Sequence, residues 1–213
     1  GMRKVQEMTA AEMAKITALK VQKKNRERAS VYLDGRFAFG LPAIIAARLH
    51  VGQVLTEAEI QALQNEGSIE SAYNRTLDYL GYRPRSRSEV ISYLKKRGMD
   101  EEQIEAIVER LERAGLLDDA AFAQYWVENR ERFKPRGARA LRYELRRKGL
   151  ADADIEKALE SLDASESAYR SASRKAEQLR HLDRQTFSRK LVEYLARRGF
   201  DYEVAQEAAN RHW

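Results

Sequence analysis

Apolar residues return every three or four positions along most of this chain, and the pattern itself repeats on a longer scale. Three segments align: EVISYLKKRG (89–98), ALRYELRRKG (140–149) and KLVEYLARRG (190–199). In each, a leucine stands four before the closing glycine (Leu94, Leu145, Leu195) and another apolar residue eight before it (Val90, Leu141, Leu191). Residues four apart share a helical face, so each segment predicts an amphipathic helix with one buried stripe. The closing glycines, Gly98, Gly149 and Gly199, are separated by 51 and 50 positions. A cation followed by glycine reads as a helix end: the charge favours the negative pole of the dipole, and glycine takes the left-handed cap.

A second helix is expected after each glycine. DEEQIEAIVERLERAG offers Asp100 as N-cap, with Gln103 placed for a capping box. ADADIEKALESL and DYEVAQEAANRHW match it, with Ile104, Ile155 and Ala205 six beyond each glycine. A third helix should precede each basic one, marked near its start by Ala72-Tyr73, Ala121-Phe122 and Ala168-Tyr169. One such helix has too little apolar face to fold alone, and stacked units share a core. The expected fold is therefore mainly α, an elongated curved array of three tandem three-helix repeats over 68–117, 118–163 and 164–213. The C-terminal copy is the weakest match.

Residues 1–67 follow a different pattern. ITALKVQ (16–22), RASVYL (28–33) and RFAFGL (36–41) alternate partially, and Asp34-Gly35 between the last two is a hairpin signal. Pro42 suits the first turn of a short helix, PAIIAARLH. Thr56 with Glu59 predicts a capping box opening TEAEIQALQ. The expectation is a small three-stranded antiparallel sheet with short helices. Gly1 before Met2 reads as a tag remnant, and the first residues lack the apolar centre of a signal peptide.

Charge adds a further regularity. The segment 83–98 carries six cations against Glu89, 130–149 nine against Glu131 and Glu144, and 184–199 five against Glu193. The helices after the glycines are acidic, with six acids in 100–113 and five in 152–163. On a helical wheel Arg139, Arg142 and Arg146 form a ridge beside the buried Ala138, Leu141 and Leu145. Dipole complementarity accounts for one or two cations at each helix end, not for the extra ridge. Two readings stay open. Basic and acidic helices neutralise one another, or the ridge meets an external anion. A net charge of +6 favours the second without establishing it.

Catalytic and metal chemistry find little support. There is no cysteine, which excludes disulfides and thiolate sites and agrees with a cytoplasmic protein. His50, His181 and His212 fit no ligand spacing, and the glycines stand singly at caps and turns, so there is no phosphate-binding loop. The pairs Glu101-Glu102 and Asp118-Asp119 fall at helix starts, where capping accounts for them. Tyr125 and Trp126 read as inter-helix packing more readily than as a stacking platform. No apolar run is long enough to span a bilayer. No cofactor is expected.

Several of these segments also carry a likeness. LDYLGYRPRSRSEVISYLKKRG (77–98), LERAGLLDDAAFAQYWVENR (111–130) and FKPRGARALRYELRRKGL (133–150), with VYLDGRFAFGLP near the N-terminus, resemble the RecX family, bacterial regulators of the RecA recombinase. The resemblance implies a non-enzymatic modulator. It would lie as a monomer in the groove of the RecA–single-stranded-DNA filament and restrain strand exchange, ATP hydrolysis and filament growth. Single-stranded DNA, and double-stranded DNA as a further candidate, are the implied nucleic-acid partners. The expected contact residues are Lys95, Lys96, Arg97, Lys134, Arg136, Arg139, Arg142, Arg146, Arg147, Lys148, Arg197 and Arg198. The alternatives are a general nucleic-acid-binding protein and a helical adaptor that binds no DNA.

Overall fold

The computed structural model describes residues 13–213, which form two compact units that divide between Tyr79 and Leu80. The tag remnant expected at Gly1 lies outside the described residues. The first unit holds strands β1 (Met13–Val21), β2 (Arg28–Leu33), β3 (Arg36–Pro42) and β4 (Val54–Thr56), helix α1 (Ala43–Ala46) and most of α2 (Glu57–Tyr82). The hairpin at Asp34-Gly35 forms as expected: both residues have positive φ, 49° and 83°, the conformation that a tight two-residue turn demands.

Among the described residues the sheet has four antiparallel strands in the order β3-β2-β1-β4, not three. The extra strand pairs Val54 with Lys15 and Thr56 with Met13. Three residues are too few to display a period of two, which is why alternation alone does not reveal it. The inward side chains Ile16, Val31, Leu41 and Leu55 are almost wholly buried and pack with Ile45 on α1.

The Thr56–Glu59 capping box is present: Thr56 N–H donates to the Glu59 carboxylate at 2.8 Å, and Glu59 N–H to Thr56 Oγ1 at 3.2 Å. The helix it opens is longer than expected. It continues for 26 residues, so the division drawn at 67/68 falls inside α2. Gly67 is not a break there. It is buried, and a Cβ on it would stand 2.8 Å from Leu41 Cδ2, so glycine lets the helix approach the sheet.

The second unit is helical: α3 (Arg87–Lys95), α4 (Glu101–Arg113), α5 (Asp119–Phe133), α6 (Ala138–Arg147), α7 (Asp152–Leu159), α8 (Ala164–Leu179), α9 (Arg184–Arg197) and α10 (Tyr202–His212). The basic segments are α3, α6 and α9, and the acidic ones are α4, α7 and α10. Gly98, Gly149 and Gly199 have φ of +78°, +79° and +88°, the left-handed caps read from the sequence. Val90, Leu94, Leu141, Leu145, Leu191 and Leu195 are all fully buried. In the second repeat these stripes meet Phe122, Val127, Ile155 and Leu159, and in the third Ala168, Ala172, Phe187, Ala205 and Ala209. The small alanines of α8 and α10 let helices approach closely without the bulk that makes the first two copies easy to align. Asp100 with Gln103 forms the expected capping box of α4, and Asp118 caps α5 through Ala121 N–H.

Candidate nucleic-acid and partner interface

The three basic helices follow one another end to end, in reverse chain order. The carbonyls just before Gly149 and Gly199 each accept a hydrogen bond from the start of the preceding repeat's basic helix. Ser86 Oγ, at the N-cap of α3, donates to the Lys148 carbonyl at 2.7 Å. Gly137 N–H, at the N-cap of α6, donates to the Arg198 carbonyl at 2.9 Å. The joints are tight. A Cβ on Gly149 would overlap the Ser88 side chain, and one on Gly137 would overlap the Gly199 carbonyl. A Cβ on Gly98, at the end of α3, would meet nothing within 4 Å.

These joints decide where the expected site residues stand. Arg139 caps the end of α9, donating to the Ala196 carbonyl at 2.7 Å. Lys148 reaches across the first joint to Glu89 at 2.7 Å, and Arg83 holds the same carboxylate at 2.7 Å. Glu89 also accepts Ser86 N–H at 3.0 Å. Burial alone would raise the Glu89 pKa. The bonds from Arg83, Lys148 and Ser86 outweigh it and bring the pKa from the ordinary 4.5 down to about 2. Asp119 joins the same junction by accepting Arg87 N–H at 2.8 Å, a role beyond the helix capping expected of it; its burial raises its pKa.

The ridge read from the wheel is largely engaged within the protein. Arg142 grips Glu156 of α7 with two nitrogens, at 2.6 and 3.1 Å, and each group stabilises the other's charged form. Arg146 pairs with Asp152 at 3.0 Å. Arg136 lies 3.3 Å from Glu144, which also takes Arg130 at 2.9 Å and the Trp126 indole N–H at 2.7 Å. Trp126 also packs against the buried cluster that includes Leu141 and Leu145 of α6, so it is inter-helix packing, as its position suggested. The neutralising reading therefore holds for Arg142 and Arg146. Spacing does not reveal this, because the acid partners lie on a different helix.

The remaining cations face solvent. Lys95, Lys96, Lys134 and Arg197 are exposed and form no ion pair among the described residues. Each basic helix also carries a tyrosine with an arginine four residues on lying over its ring: Arg97 over Tyr93 at 3.6 Å, Arg147 over Tyr143 at 5.8 Å, and Arg198 over Tyr194 at 5.0 Å. Arg198 donates in addition to Ser171 Oγ at 3.1 Å. Stacking holds each guanidinium in place and leaves its edge able to donate to an anion. Neither the joints nor these stacks are among the features expected from the sequence. The i,i+4 Tyr-Arg spacing is the available signal for the stacks. The surface that results is a row of cations near the ends of α3, α6 and α9, suited to phosphate or carboxylate groups. No metal-ligating cluster of His, Asp or Glu occurs among the described residues.

Comparisons with known proteins agree across the length of the chain. Family descriptions match in succession: the "Regulatory protein RecX N-terminal domain" over residues 14–56, and the first, second and third three-helix domains of RecX over 72–111, 118–159 and 163–209. Regulatory protein RecX of Bacillus licheniformis is 32% identical over 201 residues, covering 92% of this chain and 76% of the relative. That of Prosthecochloris aestuarii is 38% identical over 143 residues, covering 67% and 94%. Among solved structures, a crystal structure of regulatory protein RecX superposes with a TM-score of 0.76 at 30% identity, covering 92% of this chain and 99% of the other. RecX from Lactobacillus salivarius gives 0.62 at 25% identity, covering 68% and 96%.

Proposed function

The chain belongs to the RecX family, and from that premise we propose that it is a non-catalytic regulator of the RecA recombinase in the cytoplasm. It acts as a monomer in the groove of the RecA–single-stranded-DNA filament and modulates strand exchange, ATP hydrolysis and filament growth in the direction of inhibition. The observation that carries this reading is the end-to-end succession of three basic helices, each with solvent-facing cations in its last turn. A helical polyanion presents charge at repeated intervals, and a repeated series of cations suits it better than a single patch.

Lys95, Lys96, Arg97, Lys134, Arg147 and Arg197 carry the contact in this reading, because their charge is not already matched by a carboxylate. Arg142, Arg146 and Lys148 hold the repeats in shape, and Arg136, Arg139 and Arg198 brace the second joint and its surroundings. Phosphate contacts of this kind give salt-dependent affinity with little sequence preference.

The test is capture of recombinase by the immobilised chain, with and without single-stranded DNA and nucleotide, over a salt series. Retention that requires the assembled filament and falls with salt is the expected result. Equal affinity for naked DNA and filament would make the protein a general nucleic-acid binder. Retention indifferent to DNA would make it a protein adaptor. Either outcome overturns the proposal.

A further inference from the structure

The links that lead into the first two joints share a sequence. Residues 82–86 read Tyr-Arg-Pro-Arg-Ser and 133–137 read Phe-Lys-Pro-Arg-Gly, an aromatic, a cation, proline, arginine and a small residue, 51 positions apart. The small residue is in each case the N-cap that bonds across the joint, Ser86 to Lys148 and Gly137 to Arg198. That part of the motif has a structural explanation. The aromatic does not. Tyr82 ends α2 and is 86% exposed, and Phe133 ends α5 and is 66% exposed.

A single exposed aromatic is unremarkable on a protein surface. Two at equivalent places, each followed by the same residue classes, call for a common cause. The chain has three prolines, and two of them, Pro84 and Pro135, stand two residues beyond these rings and restrict the backbone that presents them. The surroundings of the second ring are cationic: Arg132 lies over Phe133 at 5.3 Å and Lys134 is exposed beside it, while Tyr82 is followed by Arg83, which Glu89 holds. Exposed rings in a positive field fit a flexible polyanion whose own planar groups are accessible. Duplex DNA keeps its bases stacked inside the helix, out of reach of a surface ring.

We infer that Tyr82 and Phe133 are base-stacking positions, one in each of the first two joints, and that the partner they take is single-stranded nucleic acid. The inference deepens the regulatory reading above and rests on its nucleic-acid component. Each ring stacks on one unpaired base, and Lys134 holds a phosphate beside Phe133. The equivalent link before α9 holds Arg180, His181, Leu182 and Asp183, so the third repeat contributes charge without a ring.

The test uses the full chain without recombinase. Binding of an end-labelled oligothymidylate and of a mixed-sequence duplex is followed by fluorescence anisotropy for the parent, Tyr82→Ala, Phe133→Ala and the double variant. Both rings are exposed, so the fold should persist, and circular dichroism checks it. Each single variant is expected to weaken single-strand binding roughly tenfold, with duplex affinity and the salt slope unchanged. Tyr82→Trp and Phe133→Trp should bind as the parent does and add a fluorescence that the oligothymidylate quenches. Failure of the parent to bind the oligothymidylate, unchanged single-strand affinity in the alanine variants, or an equal loss on duplex overturns the inference. If the double variant keeps its oligothymidylate affinity and loses only recombinase filaments, the rings face protein; the inference then fails and the regulatory reading stands. If the stacking is seen but the parent ignores filaments, the regulatory reading fails alone.

Discussion

The Lys148 ammonium lies 2.7 Å from the Glu89 carboxylate, 59 residues away in the chain, and ties the first repeat to the second. The same lysine is held through its carbonyl by Ser86, so one residue makes two of the joint's contacts. Glu89→Gln removes the charge while keeping the shape, and an expected loss is on the order of 1–2 kcal/mol after allowance for partial solvent screening. The pH dependence follows from the lowered pKa. With a folded value of about 2 against an ordinary 4.5, the stabilisation is fully present above about pH 4.5 and disappears as pH falls toward about 2. Urea denaturation across that window should show the parent weakening more steeply than Glu89→Gln. Parallel curves would remove Glu89 from the joint's energetics.

Gly137 and Gly98 separate two costs that glycine substitutions usually combine. Gly137→Ala forces a methyl group into the Gly199 carbonyl and should destabilise by about 2–3 kcal/mol, because backbone on both sides must move. Gly98→Ala meets open space and carries only the strain of a left-handed residue, about 1 kcal/mol. Chemical denaturation of the two variants checks the ranking.

The engaged ridge makes a prediction opposite to simple charge removal. Asp152→Asn with Glu156→Gln frees Arg146 and Arg142, so affinity for single-stranded DNA should rise and its salt dependence steepen. Lys95→Ala, Lys96→Ala or Arg197→Ala should weaken binding and lower the salt slope by roughly one for each phosphate left without its cation. Anisotropy titrations at several salt concentrations measure both.

Glu144 gathers Trp126, Arg130 and Arg136 around one carboxylate that is only 16% exposed. Glu144→Ala strands two arginines and an indole N–H, with an expected cost of about 2–3 kcal/mol. The tryptophan emission should change with it, since Trp126 is one of two tryptophans in the chain. A full-stability variant with unaltered emission would refute this role.

Whether a feature is legible in the sequence depends on how local it is. The Leu94, Leu145 and Leu195 stripe, the left-handed glycines and the Asp100 and Thr56 capping boxes are set within a few residues, and each is legible. The fourth strand is not, because Val54–Thr56 is too short to show a pattern and depends on β1 for its hydrogen bonds. Gly67 reads in sequence as the edge of a region; its true neighbour, Leu41, is brought to it by folding. The charge ridge is visible on its helix, yet its partners Glu156 and Asp152 sit on the next one, and no wheel drawn for α6 contains them. The joints depend on contacts such as Ser86 with Lys148, whose separation follows from the repeat length but whose chemistry does not.

Because successive basic helices meet at their tips, α9 to α6 and α6 to α3, and leave no room for a methyl group at Gly137 or Gly149, the closeness of each joint sets the interval between one cluster of charge and the next. Enlarging a single residue there would lengthen that interval while the leucine stripes inside each repeat stay as they are.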